Sequence, residues 1–186
     1  MTQPVMRGSQ IHANLTALSA LGAEEESAIR AVASEAVKAI EASIAVAWLP
    51  IEFDLQLTEA VVEVVGHDRM REWAANSIAQ STQGPLLGPL LRTLNALGLT
   101  PASTLHRIPL GWSLVYRNCG AMDVQTVDAQ TVMVRHVEPP GEMTLSLDYR
   151  ESIGAAFEGL MVIGGAKKAR AFIESEPRLG YRCVYS

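Results

Sequence analysis

Between Asp148 and Ser186 the chain changes its spacing in an order that leaves few folds open. Ile153, Ala156, Phe157, Leu160 and Met161 fall on one face of a helix, and Gly164-Gly165 stop it. Asp148 and Glu151 have the spacing of a capping box at its start. Two alternating runs follow, near Lys168 to Glu174 and Gly180 to Tyr185, separated by Glu176-Pro177. The second run reaches the terminus, so the C-terminus is expected to be a paired strand and part of the fold. A helix followed by two strands in this order requires a sheet for the strands to join.

The rest of that sheet is legible just upstream. Val124, Val127, Val132, Val134 and Val137 predict a hairpin across Asp128-Ala129-Gln130, closed by Pro139-Pro140-Gly141. Before Tyr116 the spacing is helical. Leu15, Leu18 and Leu21 follow Gly8-Ser9 and end at Gly22. Ile29, Val32, Ala36, Val37 and Ile40 form one apolar stripe behind the acidic turn Glu24 to Glu26, where a helix N-terminus favours negative charge. Pro50 breaks the chain after Trp48-Leu49. A helix is expected from Asp54 to Val65, stopped by Gly66, and another from Asp68 that buries Met70, Trp73 and Ile78. Gly84-Pro85 opens a Leu-rich helix to Leu97. Thr100-Pro101 starts one toward Tyr116, kinked at Pro109.

The expected architecture is therefore α+β: an N-terminal helical layer on an antiparallel sheet of about four strands, with one late helix. One domain is expected over 1–186, mostly helical over 1–118, with hairpin, helix and two strands over 119–186. A hydrophobic fraction of 48% suits a globular chain. The net charge of −5 and scattered basic residues argue against a nucleic-acid partner, which needs a clustered cationic face. Lys167, Lys168 and Arg170 alternate with alanines and are expected on the wet face of a strand. No apolar run approaches a membrane span. Without a signal-peptide pattern, Cys119 and Cys183 are expected as reduced thiols in a cytoplasmic protein.

The order of residues resembles a known family. Met6-Arg7-Gly8-Ser9, Trp48-Leu49-Pro50-Ile51-Glu52-Phe53, Leu57-Thr58-Glu59-Ala60, Gly66, Trp112, Tyr116, Gly120, Gly159, Gly164-Gly165 and Tyr181-Arg182-Cys183-Val184-Tyr185 carry the likeness. It resembles a myxobacterial family of about this length, related to haem-NO-binding and 4-vinyl-reductase domains and to Bet3-like tethering subunits. The resemblance implies a helical layer on an antiparallel sheet, an apolar ligand between them, and a homodimer. Two departures stand out. The cysteine pair of the 4-vinyl-reductase type is reduced to Cys183, since Ser175 to Gly180 offer no partner. The Tyr-x-Ser-x-Arg grip on haem propionates is absent, because Tyr149, Arg150 and Ser152 stand in another order.

The candidate chemistry is sparse. His12, His67, His106 and His136 make no HxH or HExxH pattern and no Cys/His zinc spacing, so no metal site is expected. His67 reads as a neighbour of a helix cap and His136 as solvent-facing on a strand. Gly159 to Lys167 has a faint likeness to a P-loop, but lies at a helix C-terminus, where the dipole repels phosphate. The leading expectation is a non-enzymatic, signalling small-ligand-binding or adaptor domain without cofactor, partnered by an apolar ligand or a protein. Its expected pocket residues are Trp112, Tyr116, Phe157, Leu160, Tyr181 and Cys183. The alternatives are a haem-based gas or redox sensor using His106, roughly where such sensors place their proximal ligand, and a small enzyme using Cys119 or Cys183.

Overall fold

The change from helical to alternating spacing becomes a change of layer. A computed structural model describes residues 2–83, 98–175 and 179–186. Its first half runs β1 (Val5–Arg7), α1 (Gly8–Ala17) with a 3-10 turn (Leu18–Leu21), α2 (Ala23–Val32), α3 (Ser34–Glu41), β2 (Trp48–Pro50) and α4 (Glu52–Gln83). Then come α5 (Pro101–Leu105), α6 (Ile108–Val115), β3 (Tyr116–Arg117), β4 (Ala121–Asp128) and β5 (Thr131–Val137). The chain continues with α7 (Gly141–Leu145), α8 (Leu147–Ile163), β6 (Ala169–Glu174) and β7 (Gly180–Tyr185). The predicted Leu-rich helix from Gly84 to Leu97 lies outside the described residues.

The four late strands form one antiparallel sheet in the order β4-β5-β7-β6. The terminal strand β7 is thus central, between β5 (Val134 opposite Tyr181) and β6 (Ile173 opposite Tyr181). Val132, Val134, Ala171, Tyr181 and Cys183 make its buried face. Helix α8 lies on that face and packs with its other side on α4, so it separates the sheet from the N-terminal helices. Glycine is required on its α4 side, at Gly159, and not on its sheet side, at Gly154. A Cβ on Gly154 would sit 3.4 Å from the Tyr181 ring, and one on Gly159 would meet the Ala75 carbonyl at 2.7 Å. The Arg71 guanidinium donates to Glu158 at 2.5 Å and Glu158 accepts from the Ala171 amide at 2.8 Å, tying α4, α8 and β6 together.

Several boundaries differ from expectation. A second small sheet, in the order β2-β1-β3, pairs Met6 with both Leu49 and Tyr116. The stripe from Ile29 to Ile40 is two helices, because Ala33 leaves helical geometry (φ −92°, ψ 31°) and Val32 is half exposed. Gly66, by contrast, stops the helix as expected: at φ 78° and ψ 173° its backbone is non-helical, and α4 is two helical stretches joined across the kink there. The helix after Pro101 breaks at His106-Arg107, ahead of Pro109, which sits in the first turn of α6. Ser146, not Asp148, caps α8, its hydroxyl accepting from the Tyr149 amide. No helix among the described residues is long and apolar enough to cross a membrane.

Candidate functional site

Where α1, α4, α6 and α8 converge, they leave a cavity of about 140 Å³. Each wall follows from an apolar stripe reaching the junction. Helix α8 supplies Ile153, Ala156, Phe157 and Leu160, and α6 supplies Ile108, Gly111, Trp112 and Val115. Trp73, Ala74 and Ile78 come from the half of α4 beyond the kink. Trp112 is fixed by its indole N–H, which donates to the Gly120 carbonyl at 3.2 Å, and by stacking on Tyr116 at 3.9 Å.

A polar network is set into this apolar wall. Asp54, in the first turn of α4, is 3% exposed. Its Oδ1 accepts from Asn14 Nδ2 at 2.7 Å, and its Oδ2 accepts from the Tyr149 hydroxyl at 2.9 Å. Asn14 is held in turn by Gln10 Nε2 (3.0 Å) and through its carbonyl by the Trp73 indole N–H (2.9 Å). No cation accompanies the carboxylate among the described residues. Loss of hydration outweighs the two donors and pushes its pKa up to about 6. Burial and the neighbouring Asp54 charge hold the Tyr149 phenol, and likewise Tyr116, protonated well beyond the ordinary range. The Ser and Thr hydroxyls of the lining, on Thr58, Ser77, Thr104 and Ser152, all donate to backbone carbonyls.

Of the residues named from sequence, Trp112, Tyr116, Phe157 and Leu160 lie on the cavity wall. Tyr181 and Cys183 do not: they stand in the sheet behind α8, where Tyr181 meets Phe157 edge-on at 5.1 Å. Sequence reasoning missed Asp54, Asn14 and Arg107. Asp54 has the sequence context of a solvated acid at a helix start, and only the fold brings Asn14 and Tyr149 to it.

The histidines stand elsewhere. His106, the C-cap of α5, is exposed and its Nε2 bonds the Thr126 hydroxyl at 2.9 Å, outside the cavity lining. His67 bonds Glu151 at 2.9 Å, linking α4 to α8 just beyond the kink. His136 is buried and not solvent-facing: its Nε2 bonds the Cys119 carbonyl at 2.8 Å, and burial lowers its pKa. Both thiols are buried, and burial pushes Cys119 up to about 11 and Cys183 up to about 12. Burial thus favours the protonated thiol at both positions at neutral pH, and the thiolate is the nucleophilic form. No cluster of potential metal ligands occurs among the described residues.

No family model matches the chain, and no curated protein matches it. Solved structures do. An unliganded Fe(II) H-NOX protein of K. algicida is 11% identical, with a TM-score of 0.65 over 97% of both chains. A point mutant of that protein gives 0.66 at 11% identity and the same coverage. An oxygen-binding H-NOX domain related to soluble guanylate cyclases, solved as the oxygen complex, gives 0.62 at 12% identity, over 97% of this chain and 95% of that one. The fold is therefore that of the H-NOX (haem-NO-binding) domains. At such identities the likeness establishes the fold alone.

Haem is the group this fold implies, and the described wall does not fit it. All four histidines and both cysteines are described, and none lines the cavity; its two tyrosines, Tyr116 and Tyr149, are held protonated, which disfavours the phenolate that binds iron. The buried Asp54 carboxylate would oppose propionates placed beside it. The volume is of the order of a benzene-sized cavity, about 150 Å³.

Proposed function

We propose that this chain is a non-enzymatic sensor domain of the H-NOX fold that holds a compact, mainly apolar ligand among α1, α4, α6 and α8, on the side of α8 away from the four-stranded sheet. One observation carries this reading: a preformed, largely apolar cavity with a buried Asp54–Tyr149–Asn14 network in its wall, the arrangement expected of a small-molecule site. Nothing in it supports a reaction, since burial keeps the thiols and the two wall phenols protonated and the Ser and Thr hydroxyls donate to backbone. Native mass spectrometry of purified protein tests the proposal, with thermal melting against small aromatic and aliphatic compounds. A co-purified small mass, or a melting shift of several degrees, is expected. Absence of both removes the proposal. The same spectra report whether the chain forms the homodimer that the sequence resemblance implies.

A second reading, a haem-based gas sensor using His106, draws its support from the fold likeness, because the solved neighbours are H-NOX domains, one of them an oxygen complex. It requires His106 to leave Thr126 and enter the cavity. Reconstitution with haem decides between the two. A Soret band that shifts in His106→Ala establishes the haem sensor, and no band leaves the compact ligand.

A further inference from the structure

We propose that the ligand is a small monocarboxylate with an apolar body, its carboxylate held by Arg107 and its apolar end directed inward. This deepens the cavity reading and rests on it.

Few polar groups of the lining remain free. Asn14 and Tyr149 are spent on Asp54, Gln10 on Asn14, and the Trp73 indole on the Asn14 carbonyl. The buried hydroxyls of the wall donate to backbone. One charged group of the lining stands apart. Arg107, between α5 and α6, lines the cavity, is solvent-exposed, and has no side-chain hydrogen bond or ion pair among the described residues. Its guanidinium is a planar fork of donors suited to a carboxylate.

Charge then orients the ligand. Above pH 6 the buried end carries the Asp54 carboxylate without a cation, so a second anion beside it is unfavourable at short range in a low dielectric. An anion is therefore excluded from the inner wall and drawn to Arg107, while an apolar body meets Trp112, Phe157 and Ile153. An amine would have the opposite preference, toward Asp54. It would have to displace the two donors already there, and it would meet Arg107 on the exposed side.

The test uses the full chain and three probes that share a benzyl body: phenylacetate, phenylacetamide and ethylbenzene. Binding is measured by calorimetry at pH 7.5 and by the melting shift. Phenylacetate should bind at least about tenfold more tightly than the amide, the scale of one charge-assisted pair. That advantage should vanish in Arg107→Met, which keeps the apolar stem, and return in part in Arg107→Lys. The neutral probes should bind the wild type and Arg107→Met alike. Equal affinity for carboxylate and amide, or an advantage that survives Arg107→Met, overturns the inference and leaves the cavity reading standing. Tighter binding of phenethylamine than of phenylacetate also overturns it. If none of these probes binds, the cavity reading falls with it.

Discussion

Asp54 is where the chain departs furthest from what its local sequence implies. An acid in the first turn of a helix is ordinarily exposed and favoured by the dipole. Here Asn14 and Tyr149, 40 and 95 residues away, enclose it. No local pattern carries that information, so the residue was legible as a helix start and illegible as a site. Its ionisation has a consequence for stability. Its pKa rises on folding from the ordinary 3.8 to about 6, so the folded state favours the protonated acid. That contribution is complete below pH 3.8, declines as pH rises, and is gone above about 6. Two units correspond to about 3 kcal/mol. Asp54→Asn keeps an acceptor for Asn14 and does not ionise. Urea unfolding from pH 4 to 7 should therefore show the variant gaining about 3 kcal/mol relative to wild type. A difference independent of pH would show that Asp54 is not raised.

Elements were legible in proportion to their length and punctuation. The hairpin β4–β5, helix α8 and strands β6 and β7 lie close to where alternation and glycines put them. The β1 and β2 strands have three residues each and β3 has two, too short to show a period, and Met6 joins them only through tertiary pairing. The break at Ala33 has no glycine or proline to mark it. Glycine marked one break correctly: Gly66 reads as a stop, and the backbone leaves helical geometry there before a second helical stretch begins. The close approach of Gly159 to Ala75 is invisible in sequence, because Gly159 reads as an ordinary helical position. These two glycines should respond differently to alanine. At Gly66 an added Cβ meets no described residue within 4 Å, and the strain lies in the backbone, whose φ of 78° and ψ of 173° are essentially confined to glycine, costing about 1–3 kcal/mol. At Gly159 the Cβ would stand 2.7 Å from the Ala75 carbonyl oxygen and 3.1 Å from its Cα. Backbone must move, so overpacking of about 2–3 kcal/mol is expected. Thermal melts should rank Gly159→Ala below Gly66→Ala, and the reverse order would mean that the α4–α8 contact yields easily.

At the scale of the molecule, stability and ligand binding should pull against each other at the cavity. A chain selected only to fold would fill the space among these helices, since unfilled volume forfeits dispersion contacts. Gly111 faces that space from α6, and among the described residues a Cβ there would meet nothing within 4 Å. Glycine within a helix costs about 1 kcal/mol relative to alanine. The position thus forgoes helix propensity and packing together while no steric contact demands glycine. That combination is expected where volume is kept for something else, since natural sites commonly give up stability for function. Gly111→Leu should therefore raise the melting temperature by about 2–4 °C for each kcal/mol gained and abolish the melting shift produced by phenylacetate or ethylbenzene. Gly111→Ala should stabilise by about 1 kcal/mol and leave the shift partly intact. A stabilised Gly111→Leu that still responds fully to the probes would place binding outside this cavity. A destabilised one would show that the space is closed in solution.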